Sequence, residues 1–172
     1  AEKYKLPIVE KEESQDFMAG GREALFSDSI ETGEIIDKSG NILGRHKGIF
    51  CYTIGQRKGM GIAKGKPLYV VDIDGRNNRI VAGEKEDVYK SEFLVEKANW
   101  VSVEGITEPI KAKVRVRYKH SEGDAAVYPP DKDNCVKVVF EQPQWAITPG
   151  QAAVFYKGDI LLGGGFIKTV YK

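Results

Sequence analysis

The sequence predicts a mainly β protein made of two small β domains. Three observations carry that prediction. Apolar residues fall in short alternating or continuous runs, and almost no stretch repeats at helical spacing. The 172 residues include 19 Gly and 7 Pro, which break the chain into many short elements. A polar, charged stretch over 84–91 separates two halves of comparable length and puts a boundary near residue 90. The reading is a central β domain over 26–90 and a second β domain over 91–172. Residues 1–25 read as a connector from a preceding domain.

The elements follow in order. Leu6-Pro7-Ile8-Val9 is a short extended run, and residues 20–26 could make one helical turn. Residues 34–37 and 42–44 flank Lys38-Ser39-Gly40-Asn41, a hairpin signal. Residues 67–72 alternate and form a strand; Asp74-Gly75-Arg76-Asn77-Asn78 turns it, and 79–82 return. Further strands are predicted near 93–103, 111–119, 124–128, 135–140, 152–156 and 160–168. Pro149-Gly150 favours a type II turn, with Gln151 opening the next strand. Gly163-Gly164-Gly165 lies inside an apolar run, which calls for a bulge or close packing against another backbone.

Composition excludes several classes. Hydrophobic residues make up 41% and charged residues 30%, a globular balance. No run approaches the roughly 18 apolar residues of a membrane span. The charged start, Ala1-Glu2-Lys3-Tyr4-Lys5, lacks the apolar centre of an export signal, so a cytoplasmic location is expected. Cys51 and Cys135 are too far apart for a CxxC site. His46 and His120 have no zinc-ligand spacing, so no metal is expected.

The net charge of +1 hides a segregation. Eleven of the 26 cations sit in two acid-free blocks, 45–66 and 111–120. Such blocks attract polyanions, or they are solvated faces with Lys guarding strand edges. The second block reads Lys-Ala-Lys-Val-Arg-Val-Arg-Tyr-Lys-His. On a strand, Lys111, Lys113, Arg115, Arg117 and Lys119 share one face, and Ala112, Val114, Val116, Tyr118 and His120 share the other. Five like charges in a row repel one another, and a phosphate backbone would relieve them. This points to nucleic-acid contact.

The first block contains the most distinctive segment, residues 44–62, in which glycines bracket His46, Gln56, Arg57 and Lys58. Its spacing fits neither GxGxxG nor a P-loop. It reads as a loop docking on RNA backbone or as a plain cluster of turns. Cys51 and Cys135 have apolar or aromatic neighbours and read as small buried hydrophobes.

These motifs resemble one family. Gly44-Arg45-His46-Lys47-Gly48, Tyr52-Thr53-Ile54-Gly55-Gln56-Arg57-Lys58-Gly59, Pro67-Leu68-Tyr69-Val70-Val71, Arg115-Val116-Arg117-Tyr118, Thr148-Pro149-Gly150-Gln151 and Leu162-Gly163-Gly164-Gly165 resemble the C-terminal half of bacterial tRNA-specific 2-thiouridylases, in the family's order. The resemblance implies that the second domain is a translation-factor-like β-barrel. It implies a parent sulfurtransferase whose N-terminal ATP-pyrophosphatase domain adenylates the wobble uridine before a cysteine persulfide delivers sulfur. ATP would be that domain's cofactor, and this half would be inactive alone. It also implies tRNA contacts at Arg117, Tyr118 and Gln151, with Arg115, Lys113 and Lys119 beside them on the stripe. His46, Gln56, Arg57 and Lys58 would form a loop near the active site. Tyr118 either stacks on a nucleotide or fills the core. The implied partners are tRNA, the ATP-pyrophosphatase domain and a sulfur-carrier protein. Met18 stands where the family has its sulfur-carrying cysteine, and methionine cannot form a persulfide. The alternative is a protein-interaction module contacting an acidic partner domain or the sulfur carrier.

Overall fold

The computed structural model describes residues 31–62, 65–118 and 121–171. The predicted connector with Met18, the extended run at 6–9, the helical turn at 20–26, and Lys64, Lys119 and His120 all lie outside the described residues. Every element below belongs to one compact unit, Thr32–Lys172.

The protein is mainly β, and no α-helix occurs among the described residues. A four-stranded sheet comes first, made of β1 (Gly33–Asp37), β2 (Ile42–His46), β3 (Tyr69–Asp74) and β4 (Arg79–Gly83). Its order is β2-β1-β4-β3. The β1–β2 and β3–β4 pairs are antiparallel hairpins, and β1 runs parallel to β4. The first hairpin turns on Asp37, whose carboxylate accepts from the Ser39 and Asn41 amides at 2.9 Å each. A parallel pair needs a long crossover. Here β2, the 47–68 loop and β3 supply it, and the loop tucks Tyr52 and Met60 into a core with Ile35, Val70, Ile80 and Ala82.

A 3-10 turn, Lys85–Val88, leads into six further strands. These are β5 (Tyr89–Trp100), β6 (Ile110–Arg115), β7 (Gly123–Val127), β8 (Val136–Trp145), β9 (Ala152–Lys157) and β10 (Ile160–Val170). They close into an antiparallel barrel in the order β10-β5-β8-β7-β6-β9. Closure leaves the barrel no free edge. Alternate inward residues fill it, with Phe93, Val95, Val114, Val127, Val138, Phe155 and Ile167 buried.

The strands expected within the described residues form, with differences in extent: β3 runs over Tyr69–Asp74 rather than 67–72, and β5 ends at Trp100 rather than 103. β6 ends at Arg115 rather than 119. β5 begins at Tyr89, inside the charged stretch read as a separator. β8 continues through Pro143 to Trp145. Proline cannot donate to a ladder. The β5–β8 register jumps from Glu92↔Val139 to Lys90↔Gln144, so Pro143 falls in an irregular stretch that needs no such donor.

The glycine triplet in β10 does both things its sequence implied. The β10 ladders shift register at Leu161/Gly163 against β9 and at Gly164/Phe166 against β5. A Cβ on Gly164 would lie 2.5 Å from the Ala153 carbonyl oxygen, and one on Gly165 would lie 2.6 Å from that of Glu96.

Candidate nucleic-acid interface

Strand β6 has the alternation its sequence implied. Ala112, Val114 and Val116 are buried, and the cations lie on the other face. The row of unrelieved charges needs correction. Lys113 Nζ lies 3.0 Å from Asp124 Oδ1, its cross-strand partner on β7. The bond to Asp124 holds the Lys113 amine above its usual pKa. Arg115 Nη2 lies 2.9 Å from Glu122 Oε2, and its guanidinium sits 5.7 Å from the Tyr156 ring centroid. Counter-charges absent from the block itself arrive from the neighbouring strand β7 and from Glu122 just before it. Exposed pairs of this kind add about 0–1 kcal/mol each. The double variant Glu122→Gln/Asp124→Asn is therefore expected to change urea stability by no more than about 2 kcal/mol. It should also steepen the salt dependence of polyanion binding, because it frees two cations.

Arg117 is different. It lies two residues beyond the end of β6, half-buried, with no carboxylate in ion-pair range among the described residues. Its Nε donates to Gln151 Oε1 at 3.2 Å, and its Nη2 donates to Thr148 Oγ1 at 3.3 Å. The Thr148 hydroxyl in turn donates to the Ala146 carbonyl at 2.9 Å. Burial pushes the Arg117 pKa below its ordinary value, yet a guanidinium stays charged in proteins. Neutral dipoles therefore hold a partly desolvated cation at a fixed place, with valence left for an anion.

The Thr148–Gln151 turn that holds Arg117 is itself hydrogen-bonded in place. Gly150 has φ +85°, and the Gln151 amide donates to the Thr148 carbonyl at 3.3 Å, as a type II turn with Pro149 and Gly150 at its centre requires. Gly150 N–H donates to the Ile167 carbonyl and Ile167 N–H donates to the Gln151 carbonyl, each at 2.8 Å. These two bonds clamp the turn to β10.

Tyr118 is 81% exposed. Alternation had put it with the core face, but the strand ends before it and the ring stands in solvent. Arg117, Tyr118 and Gln151, 34 positions apart at the extremes, are thus brought to one corner of the barrel. Thr148 was not singled out in the sequence, although it stands in the same Thr-Pro-Gly-Gln motif. Nothing local to that motif marks it as the second acceptor for a residue 31 positions away.

The glycine-rich loop separates its four singled-out residues by role. His46 is 1% exposed. Its Nδ1 accepts from the Gly48 amide at 3.0 Å, and its Nε2 faces the Asn78 carbonyl at 3.0 Å, so that nitrogen carries the proton. It joins β2 to the turn before β4 and belongs to the core. Gln56 is an internal staple: Oε1 accepts from Thr53 N–H at 3.0 Å, and Nε2 donates to the Lys58 carbonyl at 2.9 Å. Gly55 N–H donates to the Val70 carbonyl and Val70 N–H donates to the Gln56 carbonyl, which fixes the loop to β3. Arg57 and Lys58 are exposed, with no ion pair among the described residues. Trp145 packs on this loop, since a Cβ on Gly55 would come within 2.8 Å of its Nε1. The indole also meets Tyr69 and Tyr89 edge-to-face, at centroid distances of 5.5 and 5.1 Å.

Cys51 and Cys135 are both free thiols, half-buried and buried respectively. No group of three or more potential metal ligands occurs among the described residues, and no described helix is long and apolar enough to cross a membrane.

Two family models match the chain. A tRNA methyl transferase PRC-barrel domain covers residues 27–84, and an aminomethyltransferase beta-barrel domain covers residues 90–167. Among curated relatives, the tRNA-specific 2-thiouridylase MnmA of Acetivibrio thermocellus is 50% identical over 139 residues, 81% of this chain and 38% of that protein. Its counterpart in Halothermothrix orenii is 50% identical over 136 residues, 79% of this chain and 38% of that protein. The Acaryochloris marina protein is 46% identical over 173 residues, 95% of this chain and 49% of that protein. The chain therefore spans less than half the length of these relatives. A PRC-type sheet followed by a closed barrel, matched in that order and at this identity, makes the chain a member of the tRNA-specific 2-thiouridylase family over the region these two domains cover.

Proposed function

We propose that this chain is the tRNA-binding portion of a tRNA-uridine 2-thiolation enzyme. It holds the anticodon arm so that the wobble uridine meets a separate ATP-pyrophosphatase domain, where ATP-dependent sulfur transfer takes place. One observation carries the reading: Arg117 is a half-buried guanidinium held by Gln151 and Thr148, with no carboxylate partner among the described residues, beside the exposed ring of Tyr118. A phosphate oxygen completes the valence of Arg117, and a nucleobase stacks on Tyr118. Lys113 and Arg115 already have acidic partners and contribute less. Met18, at the position of the family's sulfur carrier, lies outside the described residues; the parent enzyme would then draw sulfur through another thiol or a carrier protein.

The test is binding of the 172-residue chain to an unmodified tRNA transcript across a salt series. Wild-type affinity should fall steeply with salt, because phosphate contacts release counterions. Arg117→Ala should weaken binding to every RNA sequence and lower the slope of log K against log salt by about 1. Tyr118→Ala should weaken binding by about 1–3 kcal/mol with little change in slope, because it removes stacking rather than charge. Binding indifferent to salt, or an Arg117→Ala variant equal to wild type, would count against the reading.

A further inference from the structure

The reading above leaves the first cationic block without a role. Within that block, Arg57 and Lys58 are exposed and have no acidic partner among the described residues. Their backbone is nevertheless fixed. Gln56 grips the loop from both sides, and Val70 exchanges two hydrogen bonds with Gly55 and Gln56. Arg57 also lines a concavity of about 350 Å³ with Lys66, whose amine lies 3.5 Å from Glu84, so Arg57 is the cation there without an acidic partner among the described residues.

The 145–151 segment connects this loop to Arg117. At one end Trp145 rests on Gly55, two residues from Arg57. At the other end Thr148 and Gln151 hold the Arg117 guanidinium. Trp145 and Thr148 are three residues apart, at most about 10 Å of chain. Arg57 and Lys58 of the sheet and Arg117 of the barrel therefore flank one short segment held at both ends by hydrogen bonds and packing. They come from the two acid-free blocks that are far apart in sequence.

We infer that Arg57 and Lys58 of the sheet and Arg117 of the barrel form one continuous track for a single RNA sugar-phosphate backbone, bridged by the 145–151 segment. The inference rests on the RNA-binding reading and extends it to the sheet. A strand that touches only the barrel would be free to pivot about Arg117 and Tyr118. A second anchor on the sheet fixes its direction, which a domain acting on one uridine requires.

The experiment compares the full chain with three variants, using an unmodified tRNA transcript with uridine at the wobble position. The variants are Arg57→Ala/Lys58→Ala, Arg117→Ala, and Lys132→Ala as a charge-loss control flanked by Asp131 and Asp133. Salt slope and stoichiometry are read for each, with circular dichroism to verify folding. The track predicts that the double variant lowers the slope by about 1.5 and weakens binding at least tenfold at low salt. Lys132→Ala should match wild type, and one RNA should bind per chain throughout. If Arg117→Ala lowers the slope while the double variant behaves like Lys132→Ala, the track ends at the barrel: the inference is overturned and the RNA-binding reading stands. Two RNA molecules per chain, one lost in each variant, would overturn continuity. A wild-type chain that binds no tRNA would remove the reading itself.

Discussion

Gly164→Ala is expected to destabilise the barrel by about 3 kcal/mol, the upper end of what overpacking typically costs. The added methyl would sit 2.5 Å from the Ala153 carbonyl oxygen, where the obstacle is backbone rather than a side chain that can rotate away. Gly165 is hemmed in by the Glu96 carbonyl in the same way, on the opposite ladder. β10 is the strand on which the barrel closes, paired to β9 on one side and β5 on the other, so neither neighbour can retreat without opening the other seam. Thermal unfolding followed by circular dichroism should show Tm lower by roughly 10 °C. Thr169→Ala, exposed on the same strand, should stay within about 0.5 kcal/mol of wild type. A Gly164→Ala protein as stable as wild type would mean that the two seams are looser than the geometry requires.

The second large effect is expected at His46. His46→Leu keeps apolar volume but removes the acceptor for the Gly48 amide and the donor to the Asn78 carbonyl, both at 3.0 Å. Leaving a buried polar group without its partner costs about 1–3 kcal/mol, and two bonds are involved. The urea midpoint should fall clearly. The salt slope of tRNA binding, measured on the fraction that remains folded, should not change. That pairing of results separates a core histidine from one that contacts RNA or bears on the reaction. An unchanged midpoint with weakened RNA binding would return His46 to the interface.

Why some of this was legible in the sequence and some was not follows from the range of each interaction. Strand periodicity is local, so Val114 and Val116 declared their faces before any neighbour was known. The Pro149-Gly150 turn and the crowding at Gly163-Gly164-Gly165 are likewise properties of a few adjacent residues. The charge on β6 was misjudged for the complementary reason. Glu122 and Asp124 lie outside the acid-free block by only a few residues, and hairpin pairing folds them back across from Arg115 and Lys113. Counting along the chain cannot see a partner across a ladder. Tyr118 was ambiguous because alternation holds only while the strand lasts, and β6 stops at Arg115. The placement of Arg117 against Thr148 and Gln151 depends on barrel closure through β9, which no local pattern encodes. The resemblance implies Arg117 and Gln151; the coordinates show that they are hydrogen-bonded to each other and that Thr148 joins them.

The aromatic arrangement around Trp145 has an experimental use. The chain has only two tryptophans, and they report on different regions. Trp145 lies between Tyr69 of the sheet and Tyr89 of the barrel, whereas Trp100, half-buried, packs against Phe155 of the barrel core at 5.8 Å. Trp145→Phe would leave Trp100 as the sole indole, packed against the barrel core, and Trp100→Phe would leave an indole whose spectrum follows the seam between sheet and barrel. The molecule thus carries a built-in pair of optical reporters, able to distinguish loosening of the seam from melting of the barrel without an attached dye.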